Sequence, residues 1–358
     1  MKKFLAIMLV LVMVLASFAG CGGGAATEDE NAAPKTEGFK VASHNAEIEG
    51  NPYRVVYENQ LLEAIEKYKA DGVVSEFASF TSNNDSAVES QQVEQTINDG
   101  YDLIMINPIA ATGLDPVIAK AKEAGITYIN ADCVYNSNDI INVTVDQEAW
   151  AKINVDFAVK TLGSGSKIVL FNGIDGNSAS ELRKAVYHKV CEENNIQIVK
   201  EMAHGWDDTQ AQQQMAQIIS SGVKFDGIVN QEGANGIMNA IEEAKIAYPG
   251  CITSSEEVRW IRKIAEINKD ELKLPFIIVE NPPGIGATAL AVGLNILQGH
   301  QLDTAKLAEW NNIKYTPSWI MTYDNMQERL DSISDLPDST SVSSYMMVDD
   351  AKKAYFVD

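Results

Sequence analysis

From residue 39 onward the hydrophobic positions of the chain change period repeatedly. Residues 39–43 read as a strand, and residues 53–68 place Val56, Leu61, Leu62, Ile65 and Tyr68 at helical spacing. Gly72, Val73 and Val74 start a second strand region, and residues 86–98 form a second helix. Residues 102–106 are an almost continuous apolar run, as a strand buried on both faces should be. A helix over 114–123 ends at Gly125, and residues 126–130 return to strand. The second half keeps the rhythm. Strands at 167–171, 197–200, 227–230 and 276–279 alternate with helices at 178–194, 209–220 and 237–244. Between Cys251 and Leu274 a longer charged stretch around Glu256, Glu257, Arg259 and Trp260 replaces the usual strand and helix. One reading has Glu256 and Trp260 lining the site; the preferred one is a solvated helix with Trp260 buried.

Two runs of such units predict an α/β fold with two Rossmann-like lobes, each a parallel sheet covered by helices, joined by a hinge. Ligands of these sheets sit outside the carboxyl ends of the strands, so the cleft between lobes is the expected site. The length of 358 residues suits two lobes, and 46% hydrophobic residues supply a sizeable core.

The first residues read as an address. Lys2 and Lys3 precede an apolar run over 4–16 and then small residues up to Cys21. That run is shorter than the roughly 20 residues a bilayer span needs. Phe18-Ala19-Gly20-Cys21 resembles the bacterial lipobox, in which a lipidated cysteine becomes the mature N-terminus, with Phe18 where Leu is usual. Residues 1–20 are therefore expected to be a lipoprotein signal peptide, Cys21 the lipidation site, and the small, acidic residues 21–37 a flexible tether.

Export removes Lys2 and Lys3 and takes the formal charge from −22 to −24. So acidic a chain repels phosphate backbones, which excludes nucleic acid as a partner. Cys133, Cys191 and Cys251 are then left as an odd set without close spacing, expected to be buried free thiols. His44, His188, His204 and His300 form no ligand-spaced pair, and no nucleophile elbow or phosphate loop is present. Gly284-Ile285-Gly286 lacks the full dinucleotide fingerprint and reads as a helix start beside the hinge. The expectation is no metal, no cofactor and no enzyme.

Several motifs, in order, carry a family resemblance. They are Gly50-Asn51-Pro52-Tyr53, Ile104-Met105-Ile106-Asn107-Pro108, and Lys120-Ala121-Lys122-Glu123-Ala124-Gly125-Ile126 leading into Ile129-Asn130-Ala131-Asp132. Gly176-Asn177-Ser178-Ala179, Gly205-Trp206-Asp207 and Pro282-Pro283-Gly284-Ile285-Gly286 follow. From about residue 40 to 299 the chain resembles the type I periplasmic sugar-binding proteins of the ribose/galactose kind, which feed ABC importers. The resemblance implies the periplasmic binding protein-like I fold with three hinge crossings. Residues 38–143 plus 284–308 would form the first lobe, and 144–283 plus 309–358 the second. It implies an exported monomer, held to the outer face of the cytoplasmic membrane by its lipid alone. Such a receptor captures a sugar-like polyhydroxylated ligand and delivers it to an ABC permease, or presents it to a sensor.

A sugar offers hydroxyl groups at its rim and apolar faces, which call for planar polar side chains and aromatics. Asn51, Asn107 and Asp132 fall at or just past strand ends, with turn chemistry as the alternative reading. The resemblance adds Tyr53 and Trp206 as aromatic contacts, with Arg54 standing where a second aromatic is frequent. Glu181, Arg183, Glu232 and Glu280 complete the set. If Asp132, Glu232 and Glu280 converge, the pocket is more negative than a neutral sugar requires, which admits a cationic amino sugar-like ligand.

Overall fold

A computed structural model describes residues 37–46, 48 and 52–357. The expected signal peptide, Cys21, most of the expected tether and Asn51 lie outside the described residues. The chain runs β1 (Phe39–Asn45), α1 (Pro52–Ala70), β2 (Val74–Thr81), α2 (Ser86–Asn98), β3 (Leu103–Asn107), α3 (Asp115–Glu123), β4 (Thr127–Asp132) and β5 (Ile141–Val145). It continues through α4 (Gln147–Leu162), β6 (Lys167–Asn172), α5 (Ser178–Glu193), β7 (Gln197–Ala203), α6 (Asp208–Ser220), β8 (Gly227–Asn230) and α7 (Ala234–Ala244). Then come β9 (Ile252–Ser254), α8 (Val258–Ile267), β10 (Phe276–Val279), α9 (Ile285–Leu297), β11 (Asn312–Tyr315), β12 (Ile320–Met321), α10 (Met326–Ser332) and α11 (Val348–Tyr355).

The strands form two six-stranded sheets, in the orders β11-β5-β4-β3-β1-β2 and β12-β10-β9-β8-β6-β7. Every pairing is parallel except that of β12 with β10. All five residues of β3 are buried, as the unbroken apolar run predicts for a central strand. Helix starts are fixed by side chains that accept the free N–H groups of the first turn: Asp85 for α2, Asp146 for α4, Asn177 for α5 and Asp207 for α6. The two-lobed α/β fold is thus present.

The chain passes between the sheets four times, not three. It leaves the first sheet after β5, because α4 packs Trp150, Ala151 and Val155 on the second sheet. It returns between β10 and α9, whose Leu290 and Leu294 join the core of the first sheet. It leaves again between β11 and β12, and it comes back between α10 and α11. The tail assigned above to the second lobe is therefore shared. β11 extends the first sheet beside β5, and Ala351 and Phe356 pack in the first core. The cause is α9: its residues 285–295 are buried on every side, so it needs cover on the face away from the sheet. α11 supplies that cover.

The segment after Cys251 also departs from expectation. A strand and helix unit is present as β9 and α8, but β9 has three residues, too few for a period to show. Trp260 is fully buried on the apolar face of α8, as the reading of that helix requires.

Phe356→Ala should destabilise the protein by about 3 kcal/mol, the usual cost of removing a buried aromatic side chain. Amide exchange should accelerate in α9 before α8; acceleration in α8 first would place the tail with the other core.

Candidate functional site

Asp132 ends β4 in a left-handed conformation, φ +76°, which turns its carboxylate out of the sheet. The Tyr53 hydroxyl donates to Oδ1 at 2.9 Å, and the Asn107 amide donates to Oδ2 at 3.4 Å. Asn107 is fully buried, and its Oδ1 has no partner. Burial pushes the Asp132 carboxyl above its ordinary range, opposed by Tyr53, Arg54, Asn107 and Arg183. Tyr53 is pushed up by burial and by the adjacent Asp132, and it also feels Glu256 of the second lobe. Cys133, beside Asp132, reaches Ser178 at the start of α5, and burial raises its thiol to about 12. The ends of the first sheet's strands therefore lie against the second lobe.

Arg183, on α5, is buried to 1% exposure. Its guanidinium lies 4.0 Å from the Trp150 ring centroid, and its Nε donates to Gln147 Oε1 at 2.7 Å. Gln147 in turn donates to Asn281 Oδ1 at 3.1 Å. That chain fixes the arginine from two crossings and leaves Nη1 without a partner. Trp206 adopts φ +61°, a conformation that costs a bulky residue on the order of 1–3 kcal/mol. Its backbone N–H donates to His204 Nδ1 at 2.9 Å, and its indole N–H to Gln231 Oε1 at 3.4 Å. The ring lies on Gly173, where a Cβ would come within 2.2 Å of it, so no other residue fits there.

Three carboxylates converge at the ends of β8, β9 and β10. Glu256 is buried, its Oε2 accepts the Asn281 N–H at 2.7 Å, and the charges of Glu232 and Glu280 both reach it. Burial, with those two neighbours, raises its carboxyl well above the ordinary range. Burial raises Glu232 to about 8, with Glu257 and Asp208 adding and Arg183 opposing. Glu280 is fully buried. Its Oε1 accepts from the Ser318 N–H at 2.9 Å, the Trp319 N–H at 2.8 Å and the hydroxyls of Ser318 and Ser344, and its Oε2 has no partner.

The structure thus gathers Tyr53, Asn107, Asp132, Arg183, Glu232 and Glu280, and sets Trp206 beside Gln231. It does not gather Glu181. That side chain is exposed, and its carboxylate folds back to accept the Gly176 N–H at 3.0 Å, closing the turn before α5. Gln147 and Gln231 are not among the expected site residues, and for Glu256 the solvated reading is the preferred one. Each follows a strand or crossing by one or two positions, which was the available signal. Cys133, Cys191 and Cys251 are free thiols, with Cys133 half-buried rather than buried. Among the described residues no cluster of His, Cys, Asp or Glu is placed to hold a metal ion, and no helix is long and apolar enough to cross a membrane.

Two mostly parallel sheets whose carboxyl ends meet over buried, hydrogen-bonding side chains define a two-lobed solute receptor. Residues 46–301 match the family described as periplasmic binding protein domain, and the chain belongs to that family. The family is extracytoplasmic and binds solutes without catalysis. The chain is 22% identical over 314 residues to the ribose import binding protein of Bacillus subtilis, spanning 84% of this chain and 95% of that one. It is 29% identical over 169 residues to the xylitol-binding protein of Mycolicibacterium smegmatis, covering 46% of this chain and about half, 48%, of that protein. A solved ABC transporter solute binding protein from Thermobispora bispora superposes with a TM-score of 0.73 at 18% identity, covering 88% of this chain and 94% of that one.

Glu232 gives the unliganded protein a defined pH dependence. With its folded pKa raised to about 8, its contribution is full below the ordinary value of 4.5 and is lost as pH rises through about 8. Measured against Glu232→Gln, which stays neutral, the stability of the wild type should fall across that window in chemical denaturation. A difference that is flat with pH would reject the assignment.

Proposed function

We propose that this chain is an exported, lipid-anchored monomer that captures a sugar or related polyol between its lobes and passes it to an ABC import permease. One observation carries the reading. Around the meeting ends of the two sheets, Asn107 Oδ1, Arg183 Nη1 and Glu280 Oε2 are buried hydrogen-bonding atoms without a partner. Buried polar atoms of this kind are costly to leave unpaired, and ligand hydroxyl groups would satisfy them. The relatives named for ribose import and xylitol binding support the same class of ligand.

In mechanism, Asp132 and Asn107 accept and donate to hydroxyl groups from the first lobe, while Arg183 and the carboxylates meet them from the second. The indole of Trp206 and the ring of Tyr53 cover apolar ring faces. Asn51, outside the described residues, is proposed as a further ligand contact. Closure of the lobes on the hinge removes the ligand from water, and the closed form docks on the permease. The proposed lobe division follows the four crossings, with both ends of the tail assigned to the sheets they pack on. Lipid on Cys21 holds the receptor at the outer membrane face; Cys21→Ser should release it from the membrane fraction into the soluble one.

A thermal-shift screen of sugars and polyols should identify a stabilising ligand, because binding to the native state raises stability by mass action. With that ligand, Asp132→Ala and Trp206→Ala should each weaken binding by roughly 1–3 kcal/mol, about 5- to 150-fold. Glu181→Ala should leave affinity unchanged. Unaltered affinity in both of the first two variants would overturn the site.

A further inference from the structure

The cleft holds more carboxylate than cation. On the second lobe, Arg259 is taken by Asp208 and Glu257. Asp208 also accepts the Gly236 N–H, and Glu257 accepts from Asn235 at 3.1 Å, so both are spoken for. Arg183 is engaged by Gln147 and Trp150, and its charge is shared between Asp132 and Glu232. His204, beside Glu232, is bonded through Nε2 to Asn230, and burial lowers its pKa, so it adds no compensating charge near neutrality. The first lobe presents Tyr53, Cys133, Asp132 and Arg54, and the Arg54 charge acts on Asp132 and Glu89. Glu256 and Glu280 remain, together with part of Glu232.

The geometry adds a second, independent observation. Glu280 is fully buried and spends one oxygen on four donors from two chain crossings, yet its other oxygen meets none. Glu256 is within electrostatic reach of both Glu280 and Glu232. A neutral hydroxyl donates one proton to such a site. An ammonium donates three and carries the missing charge.

Resting on the polyol reading of the cleft, we propose that the ligand is a polyhydroxylated amine. Its protonated nitrogen docks among Glu232, Glu256 and Glu280, and its hydroxyl groups engage Asn107, Asp132 and Arg183. Glu232 and Glu256, whose carboxyls burial raises, give up protons when the ammonium arrives, so binding releases protons to solvent. Affinity then rises with pH while the amine itself stays charged.

The test uses matched probes, D-glucose with D-glucosamine and myo-inositol with a monoamino-inositol, titrated calorimetrically into the mature chain between about pH 5 and about pH 7.5. In at least one pair the amine should bind about tenfold tighter or more at the upper pH. The advantage should shrink toward the lower pH, and buffers of different ionisation enthalpy should report proton release. Glu256→Gln keeps an acceptor for the Asn281 N–H and should abolish the advantage; Glu232→Gln serves the same purpose should that variant fail to fold. Equal or tighter binding of the neutral member in both pairs, with no pH slope, would overturn the amine and leave the polyol reading standing. No response to any of the four would overturn both.

Discussion

The Oε1 atom of Glu280 accepts hydrogen bonds from the backbone of Ser318 and Trp319 and from the hydroxyls of Ser318 and Ser344. Glu280 itself opens the crossing from β10 to α9, Ser318 lies in the crossing from β11 to β12, and Ser344 lies in the last one. One buried carboxylate therefore holds three of the four strands of the hinge. The same cluster continues through Tyr315, whose hydroxyl is 2.6 Å from Ser344 Oγ, and through Ser343, which takes the Gly284 N–H at 2.7 Å and donates to Gln60. Burying a carboxylate is expensive unless it is fully hydrogen-bonded. Four donors on one oxygen offset that cost only while the three crossings stay in register, so the hinge has a preferred arrangement and not merely a flexible one.

Much of the fold was legible because it is written in period. A parallel sheet buried on both faces demands apolar runs such as 103–107, and the helices between demand amphipathic spacing. What escaped was short or dependent on distant partners. β9 spans three residues, and β5 and β11 find each other across more than 160 positions. Placing α11 on the first lobe depends on α9 being buried all round, a fact about packing that the tail's own sequence does not carry.

The grouping of the candidate site residues was legible where chemistry and position coincide. Asp132, Asn107 and Tyr53 stand next to strand or helix ends and meet directly. Glu181 shows the limit of that reasoning. Its family position suggests a ligand contact, whereas in the first turn of α5 its carboxylate accepts the Gly176 N–H. Glu256 shows the converse. The charged stretch around it reads as solvated, yet β9 carries Glu256 into the junction of the lobes; within residues 254–260, Glu257 and Arg259 keep solvent contact.

Glu256 and Glu280 also join two functions that sequence position alone keeps apart. Glu256 accepts the N–H of Asn281, the first residue past Glu280, and the Glu256 carbonyl accepts the N–H of Val342 in the last crossing. Asn281 holds Gln147, which orients Arg183. Thus Glu256 and Glu280 are each one hydrogen bond from the hinge backbone, and Arg183 is tied to the hinge through Gln147 and Asn281. Strain at Asp132 and Trp206 sits on the two opposing rims of the same cleft, held by Tyr53 on one side and by His204 and Gly173 on the other. Under the proposed reading, a ligand that pairs with these carboxylates would change the charge at the atoms that set the crossings, so recognition and closure would draw on one network rather than two.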